Sequence, residues 1–300
     1  MERIQVAEEL SFSRIIHGLW RLADWNYSDD KVLELIEHNL DKGITTFDHA
    51  DIYGDYTCEA LFGRALAKKP ELRNKMEIVT KCGIVLPSKN RPENHTHHYN
   101  TSQQHIIQSV EQSLINLQTD YLDTLLIHRP DPMMDPAEVA AAFSRLHKDG
   151  KVRTFGVSNF KRHHFEMLQS YLEVPLVTNQ VEVSTYHLEN IQDGTLDFCL
   201  EKRIAPMAWS PLAGGKVFQG KEEKAVRVRN TLEKVRREIG AEDIDEVMYA
   251  WLLKHPSRIM PIVGSGNVER IDRAVRSLDY TLNHDQWFEI LQSSMGHDIP

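Results

Sequence analysis

The sequence predicts an α/β protein, a single (β/α)8 TIM barrel spanning residues 1–300 as one domain, with a short N-terminal hairpin and extra helices after strand 7 and at the C-terminus. Three observations predict it. Short apolar runs alternate with amphipathic helical stretches along the whole chain, the pattern of parallel strands joined by crossover helices. Eight such runs are present, whereas an open doubly wound sheet has about five or six. No linker or shift in composition divides the chain, and its length suits one barrel as well as two smaller domains.

The elements follow in order. Residues 4–6 and 12–16 read as the opening hairpin, and 14–17 as the first barrel run. Ser28 caps a helix whose apolar positions Val32, Ile36 and Leu40 share one face, and Gly43 closes it. The second and third runs are 45–47 and 77–80, followed by a long irregular segment, 81–100. Ile106, Val110, Leu114 and Leu117 mark the next helix, which leads into run four at 124–127. Asp135-Pro136-Ala137-Glu138 then supplies an N-cap, a proline at the first helical position and an acid at the third, with Gly150 beyond the far end. Runs five to seven are 154–157, 177–181 and 205–208. A second irregular segment, 212–242, carries the charged helical stretch 224–238, read as a solvated face. The helix 243–254 stops because His255 precedes a proline, and 260–263 is the last run.

Composition narrows the function. Hydrophobic content of 41% and charged content of 26% are those of an ordinary soluble protein. A net charge of −9 argues against nucleic acid and anionic membrane as partners. No stretch has the apolar length of a secretory signal or a membrane span, so a cytoplasmic location is expected. Cys58, Cys82 and Cys199 are too widely spaced for a disulfide framework or a zinc site and read as buried thiols. His95, His97 and His98 lie in a polar loop and read as solvated, so no metal is expected.

The chemistry is concentrated in the stretch GITTFDHADIYG, from Gly43 to Gly54. A short strand breaks there at Asp48, and a buried carboxylate costs several kcal/mol unless paired, so a cation should face it. Asp48, Lys81, His128, Ser158 with Asn159, Gln180, Trp209 with Ser210, and Gly264 with Ser265 each stand where an apolar run ends. In a barrel of parallel strands those ends share the face that carries the active site.

These motifs carry a resemblance. GITTFDHADIYG followed by Glu59 and Gly63, then IVTK, LLIHRP, FGVSNF, TNQVE, AWSPLAGG and PIVGSGNVER in that order, resemble the aldo-keto reductases over about residues 18–277, and within them a bacterial cytoplasmic oxidoreductase subgroup. The resemblance implies NADPH-dependent reduction of an aldehyde or ketone to an alcohol by hydride transfer, with Tyr53, Asp48, Lys81 and His128 as the catalytic tetrad. A free phenol is a poor acid at neutral pH. A lysine ammonium about 4 Å away contributes roughly 4 kcal/mol at an effective dielectric of 20, about three pKa units, which sets the expectation of a Tyr53 phenol titrating near about 7. Asp48 is expected to hold Lys81, and His128 to hold the carbonyl oxygen.

The cofactor-binding residues implied are Trp20, Ser158, Asn159, Gln180, Trp209, Ser210, Leu212, Gly215, Gly264, Ser265 and Arg270. Ser158, Asn159 and Gln180 match the nicotinamide carboxamide site, Trp209 the stacking ring, and Ser210, Leu212 and Gly215 the pyrophosphate loop. Ser265 and Arg270 match the residues that hold the adenosine 2′-phosphate. Gly264 and Ala274 stand where many members have a lysine and an asparagine, so the expectation of NADP over NAD rests on Arg270. Trp20, Trp25, Tyr27, His49 and the loop after Lys81 are expected to wall the substrate pocket and to suit a modestly apolar carbonyl compound. A monomer is expected. The competing readings are a cofactor-sensing regulatory subunit with little turnover, a metal hydrolase on Asp48, His49, Asp51 and His128, and a Schiff-base enzyme on Lys81.

Overall fold

Strands β1 (Arg3–Ala7) and β2 (Leu10–Ser13) pair antiparallel as the N-terminal hairpin in the computed structural model, which describes residues 1–299. The backbone N–H of Arg14 donates to the Glu2 carbonyl at 3.1 Å, so residue 14 closes the hairpin and the first barrel strand, β3 (Ile16–Gly18), starts two residues later than expected. Then come β4 (Thr46–Asp48), β5 (Glu77–Cys82), β6 (Ile84–Val85), β7 (His98–Tyr99), β8 (Leu122–Ile127), β9 (Val152–Ser158), β10 (Leu176–Glu182), β11 (Met207–Trp209) and β12 (Met260–Val263).

A closed barrel in the order β10-β11-β12-β3-β4-β5-β8-β9 is formed by eight of these strands. All six residues of β8 are buried, as expected of a parallel strand covered on both faces. Strand β11 begins after Pro206, which has no N–H for a ladder. β6 and β7 are a two-stranded antiparallel pair within the segment read as irregular.

Two compact units make up the chain: Met1–Asn179 with Gly264–Gly266, and Gln180–Val263 with the residues from Asn267 on. In the first unit, Ser28 and Asp135 cap their helices as expected, accepting from the N–H of Lys31 and Ala137. Helices Cys58–Leu66 and Gln103–Leu117 meet at Gly63, where a Cβ would stand 2.0 Å from the Asn116 carbonyl oxygen. No other residue fits that crossing.

At the N-terminal ends of β5, β8 and β9, the buried Asp123 carboxylate binds Arg73 at 2.8 Å, Arg153 at 3.1 Å and the Ile78 N–H at 2.9 Å. Both guanidinium groups also lie over the Tyr121 ring, at 4.0 and 4.1 Å from its centroid. Breaking such a buried pair typically costs about 3–5 kcal/mol, because the partner charge is left uncompensated. Asp123→Ala is therefore expected to lower the unfolding free energy by about that amount while leaving the turnover of the folded protein near normal, as denaturant titration and an activity assay would read.

The second unit packs around Val181, Leu196, Val228, Leu232, Val247 and Leu252. The charged stretch read as a solvated face is the helix Glu223–Ile239. It does bury one side, with Ala225, Val228, Leu232 and Val235 facing inward, so the solvated reading holds for its other face only. Helix Ile244–Lys254 has a full capping box from Asp243 and Glu246. The C-terminal helix His284–Met295 docks on it through Trp287, whose ring stacks on Trp251 at 4.9 Å and 8°. Each indole N–H donates to the other residue's backbone carbonyl at 3.0 Å. Among the described residues no helix is long and apolar enough to cross a membrane.

Candidate active site

Asp48 is the last residue of β4 and Lys81 the last but one of β5, its neighbour in the barrel. The chain after Asp48 crosses the end of β5, with the Asp51 N–H donating to the Lys81 carbonyl at 3.1 Å. That crossing carries Tyr53 over Lys81. Gly54 and Asp55 are left-handed, at φ 58° each, and turn the chain sharply after Tyr53. A Cβ at Gly54 would meet Cys58 Sγ at 2.5 Å and Ala23 Cβ at 2.7 Å, so glycine is required there. His128 follows β8 directly and is fixed by its N–H to the Cys82 carbonyl at 2.9 Å.

Four side chains predicted from the sequence are thus brought together. Lys81 Nζ lies 2.8 and 2.9 Å from the two Asp48 carboxylate oxygens, 2.6 Å from the His49 carbonyl and 3.0 Å from the Tyr53 hydroxyl. The Tyr53 and His128 rings meet edge to face at 5.9 Å. Lys81 is fully buried. Burial alone would lower its pKa, but the Asp48 charge and the Tyr53 hydroxyl outweigh it and leave the ammonium more basic than usual. An amine held in that form is a poor Schiff-base nucleophile, which weighs against that alternative.

The expectation of a phenol near 7 is overturned. Burial pushes the Tyr53 pKa above the ordinary phenol value, exceeding the downward pull of Lys81. Burial is the main reason, and Asp48, which faces the same ammonium, adds to it by opposing the pull of Lys81 on Tyr53. His128 is held well below the ordinary histidine value by burial and then by Lys81 and Arg129, so its imidazole is neutral. Its Nδ1 is buried with no hydrogen-bond partner.

Three of the expected pocket walls have partners of their own within the protein. His49 is fully buried with its ring edge-on to Phe62 at 4.6 Å, both ring nitrogens unpartnered and its pKa lowered to about 3 by burial. Its ring packs into the core against Phe62. Trp25 and Tyr27 pack on Gly266, the Tyr27 hydroxyl donating to its carbonyl at 3.2 Å. An aromatic residue in a loop reads the same in sequence whether it faces a ligand or supports a distant segment. Trp20 is 59% exposed, with the Arg21 guanidinium 5.1 Å above its ring.

Two acids with only a motif's worth of sequence signal lie close to these side chains. Asp51 is half-buried, and its carboxyl is held well above the usual carboxylate range by desolvation and then by Glu59. Glu59, also raised by burial, accepts from the Thr80 hydroxyl at 2.7 Å and the Asn116 amide at 3.3 Å. Sequence reasoning missed His17, whose only signal was a polar residue within an apolar run.

The groups expected at a nicotinamide nucleotide fit its chemistry within each unit. In the first, Ser158 ends β9 and Asn159 is left-handed at φ 61°, its amide donating to Ser158 Oγ at 2.8 Å and to the His128 carbonyl at 3.3 Å. Hydroxyl and amide groups match the donors and acceptors of a carboxamide. Ser265 is half-buried and Gly264 exposed. In the second unit, Gln180 and Trp209 stand on the paired strands β10 and β11. Ser210, Ala213, Gly214 and Gly215 are left-handed, at φ 50°, 52°, 61° and 88°, and Leu212 lies among them. Backbone of this kind builds anion-binding nests. Arg270 is exposed in the first turn of helix Val268–Arg276, where the helix field favours anions.

The family model described as "Aldo/keto reductase family" matches residues 14–294. The chain is 65% identical over 300 residues to "Uncharacterized oxidoreductase YcsN" of Bacillus subtilis (strain 168), with 100% of each chain covered. It is 44% identical over 300 residues to "6-dehydroglucose reductase" of Agrobacterium fabrum, again with 100% of each covered. A solved structure of the thermostable aldo-keto reductase Tm1743 with the inhibitor epalrestat superposes with a TM-score of 0.83 at 26% identity, over 98% of this chain and 100% of that one.

Proposed function

Since the chain belongs to the aldo/keto reductase family and is an NAD(P)H-dependent oxidoreductase, we propose that it reduces an aldehyde or ketone to the alcohol, with NADPH as hydride source and Tyr53 as general acid. The observation that carries this reading is the Lys81 ammonium bound at once to Asp48 and, at 3.0 Å, to the Tyr53 hydroxyl. The nucleotide, when bound, supplies the hydride that no side chain can. Ser158, Asn159, Gln180, Trp209, Ser210, Leu212, Gly215, Gly264, Ser265, Arg270 and Trp20 are the residues proposed to hold it.

The remaining work falls to the tetrad. With its pKa raised, Tyr53 keeps its proton through neutrality and has it available for the carbonyl oxygen. As the proton leaves Tyr53, the phenolate that develops faces Lys81. A unit charge about 4 Å from an ammonium gains roughly 4 kcal/mol at an effective dielectric of 20. Lys81 therefore stabilises the phenolate that forms during transfer, a downward pull on the phenol's pKa that burial outweighs at rest. Asp48 keeps the ammonium aimed, and the neutral His128 imidazole orients the carbonyl oxygen.

Cofactor preference gives a direct test. Arg270 is an exposed guanidinium in a helix first turn, and charge-assisted hydrogen bonds are worth about 1.5–3 kcal/mol. Arg270→Ala is expected to weaken NADPH by about 10- to 100-fold and NADH less than threefold in fluorescence titrations. Equal loss for both would remove the 2′-phosphate assignment.

For the substrate, the relative named 6-dehydroglucose reductase leads us to a hydroxylated aldehyde. It stands beside the modestly apolar carbonyl compound expected from the sequence. A panel pairing sugar aldehydes with apolar aromatic aldehydes decides it by kcat/KM, and preference for the apolar set would reverse the assignment. The expectations of one catalytic domain, a monomer and a cytoplasmic location are carried into the proposal unchanged.

A further inference from the structure

We propose that His17, Trp25 and Tyr27 form a clamp on residues 264–266 that sets how tightly the phosphorylated adenosine end of the nucleotide is held. The inference rests on the reading that Ser265 binds that end.

Gly264–Gly266 packs with the first unit although Val263 and Asn267 on either side belong to the second. Three side chains account for this. The His17 ring is fully buried and lies between Asn39 Nδ2, 3.2 Å from its Nδ1, and the Ser265 carbonyl, 3.0 Å from its Nε2. An amide nitrogen only donates, and Asn39 Nδ2 gives its other hydrogen to the Leu35 carbonyl at 2.8 Å. Nδ1 is therefore the acceptor, so Nε2 carries the proton and donates to Ser265. The neighbouring carbonyl, of Gly266, accepts from the Tyr27 hydroxyl at 3.2 Å. Trp25 completes the clamp, stacked on His17 at 6.1 Å and 13° and tilted against Tyr27 at 5.9 Å. A Cβ at Gly266 would stand 2.7–3.1 Å from three atoms of the Trp25 ring, so the segment lies directly on the indole.

Two consecutive carbonyls are thus tied down from one side, while Gly264 stays exposed and a Cβ there would meet nothing within 4 Å. A segment fixed in this way has little freedom left to lose when a ligand binds, and that lowers the entropic cost of association. None of the three clamp side chains needs to touch the nucleotide. They act as positioning residues through Ser265.

The test uses purified full-length protein, with NADPH, NADH and adenosine 2′,5′-bisphosphate as probes. Tyr27→Phe deletes one hydrogen bond at a half-buried position. It should weaken NADPH and the bisphosphate alike, by about three- to tenfold, and NADH less than twofold. KM for NADPH should rise while kcat falls less than twofold. His17→Leu should show the same pattern more strongly, and His17→Gln, whose amide can still donate to the Ser265 carbonyl, should recover most of it. If His17→Leu does not fold, Tyr27→Phe decides. Wild-type affinities in Tyr27→Phe, or equal losses for NADPH and NADH, overturn the clamp. Should Arg270→Ala discriminate between the two nucleotides while Tyr27→Phe does not, the clamp fails and the cofactor reading stands. Should Arg270→Ala fail to discriminate, the cofactor reading falls and the clamp with it.

Discussion

Tyr53→Phe is expected to lower kcat for carbonyl reduction by about 10²–10⁴-fold, the range a positioned general acid contributes, while the NADPH dissociation constant changes by no more than a few-fold. The variant removes one oxygen and keeps the ring, so the edge-to-face contact with His128 at 5.9 Å and the Lys81 ammonium 4.8 Å from the ring centroid need not change. Only the proton goes missing. Loss of NADPH absorbance reads the rate and fluorescence titration the affinity, and parallel losses in both would show that the phenol serves binding. The raised pKa sets the pH dependence of the wild type. Reduction needs the protonated phenol, and a pKa above the ordinary value of about 10 keeps that form dominant up to strongly alkaline pH. The reductive rate should therefore stay level from neutrality into the alkaline range, and a fall centred near pH 7 would restore the acidic phenol that the structure overturns.

Lys81→Met should cost about 10²–10³-fold in kcat, because the roughly 4 kcal/mol of phenolate stabilisation corresponds to about three decades before solvent and relaxation recover some of it. The same change leaves the Asp48 carboxylate buried and without its cation, which costs about 3–5 kcal/mol of stability. A loss of activity in this variant alone is thus ambiguous between chemistry and folding. The double variant Asp48→Asn with Lys81→Met removes both charges and should recover most of the thermal stability without recovering turnover. Recovery of kcat together with stability would mean that the ammonium supports the fold only.

The sequence made the barrel legible because strands covered on both faces are written as unbroken apolar runs, as in the six buried residues of β8. Three of the four clustered side chains were legible for a related reason, and Tyr53 only through the family resemblance. Asp48, Lys81 and His128 each interrupt such a run where it ends, and a charge in that place demands a partner. The Tyr53 pKa was not legible, since burial and Asp48 act one way and Lys81 the other, and their balance depends on distances. β6 and β7, at two residues each, are too short to show a period of two. The link from His17 to Ser265 joins residues 248 positions apart, and nothing local in either stretch records it.

The reciprocal bonding of Trp251 and Trp287 has a consequence for inheritance. Each indole satisfies the other residue's main chain and lies flat against the other ring, so replacing one takes the indole donor from the partner's carbonyl and the stacking face from the partner's ring. Drift at either position is then penalised until the second follows. Across descendants of this chain the two tryptophans should persist together or be exchanged together, and a lineage keeping one without the other should have rebuilt how its last helix is anchored.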